Sequence, residues 1–222
     1  MAAGLTAVRT AVTAAAVRSG RDPGSVTLVA VSKEASDAAV VAAHSAGVSD
    51  FGENRADALA DRAGSLPSEI RWHFIGRLQT NKVRRIRPVV TLLHSLDRPS
   101  LAEQWLKGAG TPPPVLVQVN VSGEARKAGV EPAQAASFVE AALDMGLDVR
   151  GLMTMAPLDA DPEASRPHFA ALRRLRDDLR ERHASVGELS MGMSGDYEVA
   201  VEEGATILRV GWAIFRPSRH ED

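Results

Sequence analysis

The sequence predicts an α/β fold: a single-domain (β/α)8 TIM barrel over residues 1–222, with one extra helix ahead of the first strand. Three observations predict it. Eight short apolar runs recur along the chain. Helical patterns separate them, and such alternation implies parallel strands joined by right-handed crossovers. The length of 222 residues lies toward the lower end of the range for this fold. An open doubly wound sheet is the alternative, and the strand count favours the barrel.

The opening stretch, "MAAGLTAVRTAVTAAAVRSG", has neither a basic start nor a continuous apolar run. It reads as an alanine-rich helix and not as a signal peptide. The eight runs then follow in order. They are "VTLVAVSK" (26–33), "DFGEN" (50–54), "EIRWHFIG" (69–76), "TLLHSLD" (91–97), "PVLVQVNV" (114–121), "VRGLMTMA" (149–156), "ELSMGM" (188–193) and "ILRVGWAIF" (207–215). Several are rich in Val, Ile and Leu and short enough to be strands. Helical patterns occupy 36–47, 55–65, 78–87, 99–108, 131–146, 163–184 and 195–204. In the sixth, Phe169, Leu172, Leu175 and Leu179 recur at helical spacing with charge between, as on an outer barrel helix. The loop "GAGTPPP" (108–114) separates a helix from the fifth strand, and the tail "RPSRHED" reads as frayed.

Composition narrows the function. Net charge is -2, pI is about 6.3 and 4% of residues are aromatic, so neither a basic surface nor stacking platforms suggest nucleic acid. No cysteine is present, which excludes disulfides, thiolate catalysis and cysteine metal sites. No apolar run reaches the roughly 18 residues of a spanning helix. The expectation is a soluble, cytoplasmic monomer without a membrane partner.

In a parallel barrel, function gathers at the C-terminal ends of the strands. Those ends carry Lys33, Asn54, the Gly76 region, Asp97, Asn120 with Ser122, Thr154, Ser194, and Arg209 with Gly211. Polar residues also simply end strands. Two are harder to dismiss. Only four of the 26 basic residues are lysines, and Lys33 follows an apolar strand. It shares parity with Val29 and Val31, so its amine faces inward if they do. Lysine, unlike arginine, can act as a neutral amine. Arg209 sits between Leu208 and Val210, where an unpaired charge costs several kcal/mol.

"MGMSGD" (191–196) ends a strand and opens a helix through Ser194 and Gly195. Free N–H groups at a helix start favour phosphate, and Gly211 lies on the next strand. An ordinary N-cap serine is the competing reading, and Asp196 and Glu198 already complement the helix dipole. The histidines form no HxH or HxxxH pair. His73 and His94 fall on adjacent predicted strands without a carboxylate at ligand spacing, so hydrogen-bonding roles are expected and no metal site. GxSxG and Walker loops are absent from the sequence. A lysine, an anion site and an intrastrand arginine suggest a phosphorylated carbonyl ligand held as a Schiff base. Pyridoxal 5'-phosphate (PLP) and an aldolase's sugar phosphate both fit.

The chain closely resembles the pyridoxal phosphate homeostasis proteins, themselves similar to the barrel domain of alanine racemase. The resemblance spans nearly the whole chain. It rests on "AVSK" (30–33), "FGENR" (51–55), "WHFIGRLQTNK" (72–82), "HSLD" (94–97), "QVNVSGEARKAG" (118–129), "GLMTM" (151–155), "LSMGMSGD" (189–196) and "LRVGWAIF" (208–215). It implies PLP held by Lys33, Asn54 close to the cofactor, phosphate on Ser194 and Gly195 and at Gly211 with residue 212, and Arg209 opposite the pyridine nitrogen. Three positions depart from the family pattern. Trp212 replaces Ser or Thr, Arg216 replaces glycine, and Ala35 stands where many relatives carry a second lysine. The resemblance implies a PLP carrier or buffer with no catalytic residue, transiently meeting PLP-dependent apoenzymes. A racemase would need a second base from an added domain, for which the chain is too short, and its sole tyrosine is Tyr197. A class I aldolase would more naturally place its lysine deeper round the barrel, where the sixth strand offers Thr154.

Overall fold

The computed structural model describes residues 1–124, 128–157, 159 and 161–215. Eight parallel strands close in sequence order: β1 (Thr27–Val31), β2 (Asp50–Glu53), β3 (Arg71–Phe74), β4 (Val90–Leu96), β5 (Val115–Gln118), β6 (Val149–Met153), β7 (Glu188–Ser190) and β8 (Ile207–Val210). The ring seals where β1 pairs with β8, Val29 opposite Arg209 and Ala30 opposite Val210. Closure removes both sheet edges, which an open sheet would expose.

Helix α1 (Ala2–Arg18) precedes the barrel. Then come α2 (Asp37–Ser45), α3 (Ala56–Ser65), α4 (Val83–Ile86), α5 (Pro99–Leu106), α6 (Pro132–Asp144), α7 (Arg166–Arg182), α8 (Tyr197–Glu202) and α9 (Trp212–Phe215). Their starts carry local signals. Ser36 accepts the Ala39 N–H as the cap of α2 at 3.2 Å, and proline opens α5 and α6 with its φ preset. Phe169, Leu172 and Leu179 of α7 are buried as their spacing predicts. Helix α1 packs on α8 and α9 through Leu5, Val8, Val12, Ala15 and Ala16. A β-carbon on Gly4 would lie 2.5 Å from the Ala213 carbonyl oxygen, so α1 and α9 approach as only glycine allows.

Strand alternation sorts the side chains into two sets. Outward residues such as Ala30, Phe51, Trp72, Leu93, Val117, Leu152, Leu189 and Leu208 join the large core beneath the helices. Val29, Leu92, Leu116, Met153 and Ile207 form a separate cluster inside the barrel. By the same alternation Asp50, His73, His94, Ser190 and Arg209 point inward, and all are buried. The barrel interior is therefore part apolar and part polar, and the polar part needs internal partners.

Candidate functional site

Lys33 sits in the turn after β1, not within the strand as its parity suggested. The strand ends at Val31, and the Lys33 side chain is 49% exposed, with Nζ 3.9 Å from Glu34 Oε1. The turn itself is held firmly from α3. Arg62 donates through Nη1 to the Ser32 carbonyl at 2.8 Å and through Nη2 to the Ala35 carbonyl at 2.5 Å. The same guanidinium pairs with the buried Glu53 carboxylate at 2.5 Å, which also accepts from the Ser32 hydroxyl at 3.1 Å. An accessible amine thus stands on a backbone clamped by a buried ion pair.

Asn54 is exposed and lies just beyond β2, next to β1 in the ring. The chain leaving β3 presses on it: a β-carbon on Gly76 would come within 2.2 Å of the Asn54 carbonyl oxygen. A cavity of about 630 Å³ opens beside it, lined in part by Arg55, Arg77, Gln79, Lys82 and Arg98. This side of the mouth is basic, a field that raises the local concentration of anions.

The two expected anion-binding segments meet. Ser194 Oγ accepts from the Gly211 N–H at 3.2 Å and from the Ala213 N–H at 3.4 Å. Gly195 faces open space, where a β-carbon would meet no atom within 4 Å. Trp212 begins α9 and is 57% exposed. The acids that weigh against an anion are engaged elsewhere. Asp196 accepts from the Met193 N–H at 2.7 Å and the Ser165 hydroxyl at 3.0 Å, while Glu198 pairs with Arg18 of α1 at 3.1 Å. Gly192 makes the turn possible: its φ is +91°, and a β-carbon there would lie 2.5 Å from that of Ala200.

Arg209 is 3% exposed. Nη1 donates to Ser190 Oγ at 2.6 Å and Nη2 to the Thr154 carbonyl at 2.8 Å. Among the described residues no carboxylate comes within ion-pair distance of it. Burial lowers its pKa to about 10, against a smaller opposing pull from Asp196, so it stays charged at neutral pH. Such a cation suits an electron-rich acceptor that brings no hydrogen of its own.

The other polar strand ends tie loops together. Ser95 donates to the Gly76 carbonyl at 2.6 Å, Thr154 to the Val119 carbonyl at 2.8 Å, and Ser122 to Asn120 at 2.9 Å. Arg98 pairs with Asp97 at 2.5 Å. Arg216 and Lys127 lie outside the described residues. Sequence reasoning missed Arg62 and Glu53, whose pairing joins a helix to a strand. It also missed the carboxylate that meets the histidines, Asp50, 2.9 Å from His73.

A parallel barrel with a lysine at the exit of β1 and an arginine inside β8 is the class of the alanine racemase N-terminal domain, a family that matches residues 7–218. Within that class, the chain belongs to the pyridoxal phosphate homeostasis protein family. The relative of that name from Aquifex aeolicus is 43% identical over 204 residues, 89% of this chain and 90% of its own. A crystal structure described as that of an unknown protein from Bifidobacterium adolescentis is similar, with a TM-score of 0.90 and 36% identity, covering 96% of this chain and 93% of that one. PipY of Synechococcus elongatus, solved with PLP bound, gives a TM-score of 0.76 at 35% identity, covering 92% of this chain and 99% of that one.

Proposed function

We propose that this protein binds PLP at the barrel mouth and serves PLP homeostasis by holding and supplying the cofactor, with Lys33 as the residue that bonds its aldehyde. The observation that carries the reading is the buried Arg209 cation, held among the described residues by a hydroxyl and a carbonyl and by no carboxylate. The residues present fit the group. Arg209 offers N–H donors to a ring nitrogen. The N–H groups of Gly211 and Ala213, already gathered on one oxygen, suit a phosphate beside Ser194, Gly195 and Trp212. Lys33 offers a reachable amine, and Asn54 follows the adjacent strand β2.

PLP supplies an aldehyde that condenses with amines and a ring that withdraws electrons well only when its nitrogen is protonated. Arg209 keeps its own proton, so it supports the unprotonated ring and disfavours carbanion chemistry. Burial, with a smaller push from Glu198, raises the pKa of Tyr197, so its phenol stays protonated at neutral pH and is no second base. These features support a carrier over a racemase. We read the protein as a cytoplasmic monomer that transiently meets PLP-dependent apoenzymes. Consistent with that, no helix among the described residues is long and apolar enough to cross a membrane.

The test is an absorbance spectrum of the purified protein before and after borohydride, followed by peptide mapping. The pyridoxyl group is expected on Lys33. Recovery mainly on Lys82 or Lys127 would overturn the residue assignment, and a colourless protein that takes up no PLP would overturn the function.

A further inference from the structure

Four inward-facing residues connect Arg209 to the opposite end of the barrel. Arg209 Nη1 lies 2.6 Å from Ser190 Oγ, Ser190 Oγ 2.8 Å from His94 Nδ1, and His94 Nε2 2.8 Å from His73 Nδ1. His73 Nε2 in turn lies 2.9 Å from Asp50 Oδ1. Ser190 and His94 are fully buried, and His73, Asp50 and Arg209 nearly so. Asp50 also takes two hydrogen bonds from Arg71, at 2.8 and 2.5 Å. It borders a cavity of about 440 Å³ between α1 and the starts of β1, β2 and β3.

Both ends of this chain have a fixed polarity. An ionised carboxylate only accepts and a guanidinium only donates. Asp50 accepting from His73 Nε2–H leaves Nδ1 of a neutral His73 as an acceptor. That site takes the proton of His94 Nε2, which leaves His94 Nδ1 to accept from the Ser190 hydroxyl. The Ser190 oxygen then has lone pairs for Arg209. Every donor meets an acceptor in one direction, with both imidazoles neutral.

We propose that Asp50, His73, His94 and Ser190 are positioning residues, a one-way hydrogen-bond chain that fixes the Arg209 guanidinium as a donor toward the ring nitrogen of the ligand. The proposal rests on the PLP reading given above. Among the described residues no carboxylate orients Arg209, so Ser190 and the Thr154 carbonyl set its plane. Ser190 can hold its orientation only because His94 takes its proton. The two Arg209 contacts use two of five N–H donors, and the others have no acceptor among the described residues.

The experiment compares binding of PLP with binding of its 1-deaza analogue, in which a C–H replaces the ring nitrogen. The parent protein is expected to prefer PLP by about tenfold or more, the range of one charge-assisted hydrogen bond. His94→Gln keeps one donor and one acceptor at similar spacing and should keep that preference. His94→Leu and Ser190→Ala should reduce it to about threefold or less, chiefly by weakening PLP. An unchanged preference in both, or equal loss for both ligands, would overturn the proposal and leave a structural role. Should His94→Leu fail to fold, Ser190→Ala decides the matter. Histidine 15N NMR of the ligand-free parent tests the chain independently of PLP. His94 and His73 should both carry their proton on Nε2, and a proton on Nδ1 of either would overturn the assigned direction. A parent protein that binds neither ligand would refute the PLP reading, and the NMR result would still stand or fall separately.

Discussion

At the scale of single residues, Arg62 matters as much as the lysine it supports. Its guanidinium joins Glu53 of β2 to the carbonyls of Ser32 and Ala35, so the backbone of the lysine turn cannot drift from the barrel. Removing one member of a buried pair strands the other, at about 3–5 kcal/mol. Arg62→Met should therefore lower unfolding stability in urea by about that amount and weaken PLP binding at least about tenfold. A variant carrying both Arg62→Met and Glu53→Gln should recover much of the stability but not the affinity, because the turn is still unclamped. Equal recovery of both would separate Arg62 from the site. None of this was visible in the sequence. Glu53 stands inside the "FGEN" run, but its partner lies on the next helix, and spacing alone does not say which face of that helix meets the strand.

At the scale of elements, the turn after β7 and the junction from β8 to α9 act as one unit, bridged by Ser194. Ser194→Asp would place a carboxylate where Gly211 and Ala213 present N–H groups. It should weaken PLP binding far more than binding of pyridoxal, which lacks the phosphate, as read by fluorescence titration. Equal loss would place the phosphate elsewhere. Gly192→Ala should lower stability by about 2–4 kcal/mol, combining left-handed backbone strain with overpacking against Ala200. All eight strands were legible, because buried parallel strands read as continuous apolar runs. Their ends were less so, since Lys33 and the residues beyond Ser190 extend the apparent runs into turns. Helix α9 was hidden inside "ILRVGWAIF", because a short, continuously apolar stretch has no period to separate helix from strand. The 78–87 pattern resolves into a 3-10 turn (Thr80–Lys82) and one turn of α4. The polar chain inside the barrel was illegible for a different reason. Alternation says which residues face in, but strand stagger decides which of them touch.

At the scale of the whole molecule, the polar interior makes stability depend on pH. His94 has its pKa held well below the ordinary value, first by burial and further by the nearby Arg209 cation. Its folded form resists a proton that the unfolded chain accepts near 6.5. The associated stability is thus complete above about pH 6.5 and declines below it, at up to about 1.4 kcal/mol per pH unit. Asp50 behaves differently. Burial alone would raise its pKa, but hydrogen bonds from Arg71 and His73 outweigh that and hold it at about 2. Its contribution is present above about pH 3.8 and fades only toward 2. Urea titrations between pH 8 and 5 should show the decline in the parent and a shallower one in His94→Gln. The same slope in both would assign it to another group. The proposed carrier role is also tested on the whole molecule. Loaded protein mixed with an apo PLP enzyme should restore activity better than equal free PLP when excess free lysine is present. No advantage over free PLP would exclude protected delivery.

The contact of α1 with α9 also bears on how the molecule is made. Gly4 meets Ala213, and β1 cannot complete its ladder until β8 exists. A ribosome adds roughly 5–20 residues per second, so α1 waits on the order of 10 seconds for its partner to emerge. During that interval its apolar stripe and the open edge of β1 are exposed to other chains. Contacts so distant in sequence make the last step of folding slow. Nascent chains halted before β8 should aggregate or recruit chaperones, whereas those released after α9 should close the ring and resist proteases.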